Sequence, residues 1–183
     1  MCLDGAPSAR AFAVAATISA TEVLIWGGAD EGRTLSSGAI YDVAADEWRP
    51  IAVAPIEDRA WAMAAWTGEV MLVFGGVRRR QGKVVTLADG ALYDPAEDAW
   101  RRLAPLPDGG RANAATAWTG RELLCWGGDD SVRGVLGTGI RYDLVADRWH
   151  PMSAAGAPSP RQSPGYVWDG AALVVHGGAD PHV

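Results

Sequence analysis

The dipeptide Gly-Gly recurs at Gly27-Gly28, Gly75-Gly76, Gly127-Gly128 and Gly177-Gly178, in steps of 48, 52 and 50 residues. A period of that size commits a chain to a repeat architecture, in which each unit buries its apolar surface against its neighbours. Other columns keep the same register. An arginine opens each unit, at Arg10, Arg59, Arg111 and Arg161. A Tyr-Asp pair follows the glycines at Tyr41-Asp42, Tyr93-Asp94 and Tyr142-Asp143, and a tryptophan stands seven residues after each tyrosine, at Trp48, Trp100 and Trp149. A fifth pair, Gly109-Gly110, falls outside the register, in a loop before Arg111.

Each unit reads as four short strands. In the second unit Ala60 to Trp66 is a first strand, and Thr67-Gly68-Glu69 is a turn. Val70 to Phe74 is an unbroken apolar run suited to burial on both faces. Gly75-Gly76 ends it, since glycine takes backbone angles that other residues avoid. After a variable loop, Gly90 to Tyr93 is a third strand, Asp94 to Asp98 a turn, and Ala99 to Leu103 a fourth strand. No segment carries a 3.6-residue apolar period, so essentially no helix is expected. Four short strands per fifty or so residues is the content of one propeller blade. The alanine-rich first strands suit the innermost position, where blades converge. The Tyr and Trp columns suit the periphery, where blades diverge and space must be filled.

Gly-Gly after an apolar strand, then Tyr-Asp, then Trp, at this spacing resembles the kelch repeat over the whole chain. The resemblance implies an all-β fold, a partial kelch-type β-propeller of three four-stranded antiparallel blades and a half blade. The units run about 10–58, 59–110, 111–160 and 161–183. Trp-Asp-dipeptide propellers have a shorter period and another signature. Two departures stand out. Bacterial kelch repeats often carry a His three residues after the opening Arg, where this chain has Ala13, Ala62, Ala114 and Pro164. The first unit has Ile18-Ser19-Ala20 in place of the Trp-Thr-Gly turn at Trp66 and Trp118.

Composition narrows the function classes. A net charge of −6 opposes a general nucleic-acid surface, which needs clustered cations. No run of about 18 apolar residues is present, so no membrane insertion by a helix is expected. Cys2 and Cys125 lack metal-ligand spacing and form no disulfide framework. His150, His176 and His182 share no column. The sequence therefore offers no catalytic set, no metal site and no cofactor motif.

Candidate binding residues fall in three groups. Arg10, Arg59, Arg111 and Arg161 could ring the channel mouth and hold a carboxylate or acidic peptide. In some kelch propellers arginines near this place bind acidic partners. Alternatively, each Arg satisfies backbone carbonyls, a role that recurrence in every unit favours. The loops after Gly-Gly hold 12, 16 and 13 residues before the next Tyr, and varied loops on a rigid scaffold are where function sits. The second carries Arg78, Arg79, Arg80 and Lys83, able to attract an anion or simply to be solvated. Trp61, with Phe12 in its place one unit earlier, could stack on a sugar or fill space between blades.

The N-terminal Gly5 to Arg10 stretch mirrors Gly156 to Arg161, which sets Met1 beside Met152, in the loop leaving a preceding blade. The last Gly-Gly pair follows a second strand. The expectation is a piece of a longer protein that needs further blades to close its ring. The leading function is a scaffold binding a protein or glycan ligand. The alternative is part of a sugar enzyme of the mutarotase or oxidase type, although three of the four tyrosines belong to the structural column and no copper set is evident. Localisation is open. The resemblance makes an extracytoplasmic or secreted place plausible, and no signal peptide stands at Met1.

Overall fold

The computed structural model describes residues 5–179. Met1, Cys2 and His182 lie outside the described residues. Three four-stranded antiparallel sheets follow one another along the chain, each made from one stretch of sequence. The first holds β1 (Val14–Thr17), β2 (Glu22–Trp26), β5 (Gly38–Asp42) and β6 (Glu47–Pro50), in that spatial order. Between β2 and β5 lies a small hairpin, β3 (Ala29–Asp30) and β4 (Arg33–Thr34). The second sheet holds β7 (Met63–Trp66), β8 (Met71–Phe74), β11 (Gly90–Asp94) and β12 (Ala99–Leu103), with the hairpin β9 (Val77–Arg80) and β10 (Lys83–Thr86). The third holds β13 (Ala115–Trp118), β14 (Glu122–Trp126), β17 (Gly139–Asp143) and β18 (Arg148–Pro151), with β15 (Asp129–Asp130) and β16 (Gly134–Val135). A last pair, β19 (Gly165–Trp168) and β20 (Leu173–His176), is half a blade. Among the described residues there is no helix, and hence none long and apolar enough to cross a membrane.

The expected strands are present, and Gly75 and Gly127 follow the last residues of β8 and β14. Two details differ. The first strand of the second unit begins at Met63, because Ala60 makes only a lone bridge to Val77. The stretches after Gly-Gly, expected as loops, are hairpins. In the second, Gln81 and Gly82 both have positive φ (51° and 76°), the geometry of a two-residue turn that suits strand twist, and the β-branched run Val84-Val85-Thr86 supplies the returning strand.

The core lies between blades. All four residues of β8 are fully buried. Met71 and Val73 join Leu24, Trp26, Ile40, Ala54 and Ile56 of the first blade. Leu72 and Phe74 join Leu123, Cys125, Ile140, Tyr142 and Trp149 of the third. Innermost strands pack on one another, β1 on β7, β7 on β13 and β13 on β19, where alanines permit close approach. At the periphery Trp26 meets Trp100 with ring centroids 5.3 Å apart, and Phe74 meets Trp149 at 4.9 Å. The Trp column is less uniformly covered than its regularity suggests. Trp149 is buried, while Trp48 and Trp100 keep an edge in solvent.

Trp100 and Trp149 also bond to the preceding blade. Trp100 Nε1 donates to the Ala52 carbonyl at 2.9 Å, and the Ala52 N–H donates to Asp98 Oδ1 at 2.8 Å. Asp98 also accepts from the Tyr93 hydroxyl at 2.6 Å. The third blade repeats this on Ala104, with Trp149 Nε1 and Asp147 Oδ1 each at 2.9 Å and Tyr142 donating to Asp147. The Tyr93 and Tyr142 bonds are the first cause holding Asp98 and Asp147 below the usual carboxylate range. Burial, then the facing carboxylate, pushes the two tyrosines far above theirs.

The glycine pairs are fixed by contact as well as by angle. Gly75 and Gly76 sit at φ 56° and 85°, and a Cβ on Gly75 would collide with the Arg111 carbonyl oxygen. Gly76 N–H donates to that same oxygen at 2.8 Å. Gly28 bonds Arg59 and Gly128 bonds Arg161 in the same way. At Gly177, by contrast, a Cβ would meet nothing within 4 Å.

Two predictions follow from these contacts. Gly75→Ala should lower stability by roughly 2–4 kcal/mol, from strain plus overpacking. Gly82→Ala, with a similar φ but open space around it, should cost only about 1 kcal/mol. Equal shifts in urea melts would show that φ alone, not blade contact, fixes these glycines. The second concerns acid. Asp98 and Asp147 have depressed folded-state values, so their contribution is present above the unfolded value of about 4 and lost as pH falls through the folded values. A D98N/D147N double variant should show a flatter decline of melting temperature below about pH 4 than the parent chain. An unchanged acid limb would place the acid sensitivity elsewhere.

Candidate functional site

From the second unit on, each opening arginine has a split role. Its main chain binds the previous unit, since Arg59 N–H donates to Leu35 O at 3.0 Å and its carbonyl accepts from Gly28. Its side chain binds its own unit and the loop residues just before it. Arg59 Nη1 donates to Gly75 O at 3.0 Å and Asp89 O at 3.1 Å, Nη2 to Asp89 Oδ1 at 2.9 Å, and Nε to Glu57 O at 3.0 Å. Arg111 Nη1 donates to Gly127 O and Thr138 O, and its Nη2 to Asp108 Oδ2 at 2.7 Å. Arg10 reaches Gly27 O, Ser37 O and Ser8 O, and Arg161 reaches Gly177 O and Ser159 O. Arg59 and Arg111 have no exposed surface at all. Burial pushes the Arg59 guanidinium below its ordinary value, and Asp89 opposes that shift. These side chains are spent on carbonyls, and at Arg59 and Arg111 no face remains for a ligand.

Two residues beyond each arginine the chain turns left-handed, with φ of 59° at Phe12, 51° at Trp61, 54° at Asn113 and 49° at Ser163. These four are bonded in series at the inner ends of the blades, next to the innermost strands: Trp61 N–H to Phe12 O (3.1 Å), Asn113 N–H to Trp61 O (3.5 Å), and Ser163 N–H to Asn113 O (2.8 Å). Phe12 and Trp61 stack, with centroids 4.1 Å apart and planes 22° off parallel. Phe12 is 54% exposed. A groove of about 220 Å³ opens beside the pair, lined also by Asp30, Glu31, Thr34 and Arg79.

The basic cluster does not stay together. In the β9–β10 register Arg79 opposes Val84, Arg78 opposes Val85 and Arg80 opposes Lys83. Strand alternation puts Arg78 and Arg80 on one face and Arg79 on the other. Arg79 joins the Phe12–Trp61 groove. Arg78 and Arg80 line a separate groove of about 290 Å³ with Glu57, Lys83, Val85 and Leu87. Arg78 is paired with Glu57 at 2.6 Å and with Asp58 at 3.6 Å, so it is an anchor, whereas Arg79 and Arg80 are exposed.

The remaining chemistry-bearing groups are structural. Asp42, Asp94 and Asp143 accept from main-chain N–H groups two and three residues on, closing their turns. Cys125 is buried, touches Met63 Sδ at 3.3 Å, and burial pushes its thiol up to about 11. Among the described residues no group of three His, Cys, Asp or Glu could hold a metal. The residues overlooked in the sequence are Asp46, Asp98 and Asp147. They form a column of their own, five residues after each Tyr and two before each Trp, and Asp98 and Asp147 carry the bond to the preceding blade.

Four-stranded blades, a Gly-Gly pair at each interface and Tyr and Trp columns between blades go together with similarity in sequence to proteins named for kelch repeats. The human Kelch repeat and BTB domain-containing protein 13 is 33% identical over 135 residues, 70% of this chain and 28% of that protein. The repeats are kelch repeats. An F-box/kelch-repeat protein of Arabidopsis thaliana is 36% identical over 106 residues, 54% of this chain and 25% of its own length. The N-acetylneuraminate epimerase of Yersinia enterocolitica is 35% identical over 109 residues, 57% of this chain and 27% of that enzyme. The chain thus matches about a quarter of the length of each of these kelch relatives. No family model matches it.

If the kelch arginines are clamps within their blades, Arg111→Met should destabilise the fold by about 3–5 kcal/mol, because it strands the buried carbonyl of Gly127 and takes from Asp108 its closer cation, leaving it Arg133 at 3.7 Å. Arg79→Ser, at an exposed position, should stay within about 0.5 kcal/mol of the parent. Chemical denaturation of both variants checks this. A mild R111M variant would return that arginine to the pool of binding candidates.

Proposed function

We propose that this kelch-repeat chain is a scaffold that binds a protein partner through the face carrying its three hairpins. The observation that supports it is the contrast between frame and decoration. The three interfaces use the same glycine–arginine contact, and the first two the same tryptophan bond, yet the hairpins differ in length and content. Strands β9 and β10 are four residues each, against two in β3, β4, β15 and β16. A rigid frame holding unlike loops is the usual form of a binding surface. The relatives' names favour the same reading, because they join kelch repeats to F-box and BTB domains.

A second reading is a sugar ligand seated on the exposed Phe12 ring, alone or as part of a sugar enzyme. The stacked Phe12–Trp61 pair beside the carboxylates of Asp30 and Glu31 favours it, as does the epimerase relative. An aromatic face takes up the apolar side of a sugar while carboxylates accept from its hydroxyls.

Photo-crosslinking separates the faces. A photoreactive residue at hairpin tips Gly32, Gln81 or Arg133 should yield protein adducts in cells that make the chain. The same residue in turns of the opposite face, at Ala44, Ala96 or Ala146, should yield none. Adducts from the opposite turns alone would overturn the proposed face. Quenching of tryptophan fluorescence by N-acetylneuraminate, lost in Phe12→Ala, would instead favour the sugar reading.

A further inference from the structure

Glu31 and Arg79 line the same groove of about 220 Å³ from neighbouring hairpins, Glu31 at the tip between β3 and β4 and Arg79 on β9. Both are exposed, and among the described residues neither side chain makes an ion pair or a hydrogen bond. The two hairpins are tied at the base of the groove. There the Thr34 hydroxyl of β4 donates to Asp58 and accepts from the Arg79 N–H at 3.3 Å. Two opposite charges thus border one groove without meeting. Asp30 adds a second carboxylate, partnered only by the exposed Arg33 at 3.6 Å. The stacked Phe12 and Trp61 rings give the groove an apolar side.

The corresponding place between the second and third hairpins is built differently. The left-handed residue after Trp61 in the series is Asn113, whose Nδ2 donates to Asp129 at 2.7 Å. Ser131 holds the position of Arg79 counted from the glycine pair, and it shares a hydrogen bond with Thr86 at 3.0 Å. Those polar groups are partnered within the protein and ask for no ligand. We propose that the first groove binds a free α-amino acid with an aromatic or large apolar side chain. Its ammonium lies against Glu31 and Asp30, its carboxylate against Arg79, and its side chain on the exposed Phe12 ring. A simple cation is repelled by Arg79 and a simple anion by Glu31, so a ligand carrying both signs is selected over either. A neutral sugar leaves both charges unmet. The site goes beyond the protein-binding reading, and neither requires the other.

The test is calorimetric titration of the full chain with L-phenylalanine. Phenylalanine amide lacks the carboxylate and N-acetylphenylalanine lacks the ammonium, and N-acetylneuraminate stands for the sugar reading. Phenylalanine should bind saturably, and its two derivatives about tenfold more weakly or worse. Arg79→Gln should bind phenylalanine and its amide alike while still discriminating against the N-acetyl form. D30N/E31Q should show the reverse pattern. Loss of fold would abolish binding of every ligand, so these selective patterns report charge recognition. Phe12→Ala should weaken phenylalanine and both derivatives together. No saturable binding of phenylalanine, or a derivative bound as tightly as the parent amino acid, would overturn the proposal. So would an Arg79→Gln variant that still prefers the acid over the amide. Tighter binding of N-acetylneuraminate than of phenylalanine would overturn it in favour of the sugar.

Discussion

Neighbouring blades are joined where the main chain of one opening arginine meets the glycine pair of the unit before it. The carbonyl of Arg59 takes a hydrogen bond from Gly28, and those of Arg111 and Arg161 take bonds from Gly76 and Gly128, each at 2.8 Å. Room for that approach exists only because the glycines have no Cβ. The arginine side chain then closes on the carbonyl of the first glycine of its own unit. One residue thereby fixes two successive interfaces. The apolar core between blades, with β8 buried on both faces, is packed at the spacing these contacts hold.

Much of this is legible in the sequence, for a physical reason. Whatever recurs in every unit is what each interface needs, so Gly-Gly, Tyr-Asp and Trp announce blades before any coordinate does. The apolar run ending at Phe74 reads correctly as a strand covered on both sides. The Asp46, Asp98 and Asp147 column was equally regular but lay inside a turn, where aspartate has a ready local explanation. The hairpins were harder to foresee. Two-residue strands such as β3 and β15 carry too few side chains to show a period of two, and paired backbone bonds hold them to the start of their own units, Ala29 to Ala11 and Asp129 to Ala112.

The candidate site shows the complementary limit. Sequence places Arg78, Arg79 and Arg80 side by side, but a strand sends alternate side chains to opposite faces, so adjacency in sequence becomes separation in space. Conversely, Phe12, Trp61 and Arg79 are far apart in the chain and share a groove. Burial is equally invisible along a sequence. Arg59 and Arg10 occupy one column, yet Arg59 is wholly enclosed and Arg10 is not.

The left-handed residues at the rim have a further consequence. Phe12, Trp61, Asn113 and Ser163 are linked in series through their main chains, and only Phe12 and Trp61 also meet through their rings, so the series itself asks of each position a backbone shape and no particular side chain. Aromatic, amide and hydroxyl groups already coexist there. A kelch rim built in this way behaves as a row of interchangeable sockets. Its chemistry can be rewritten one socket at a time without retuning the blades, which separates the history of what the mouth recognises from the history of how the molecule holds its shape.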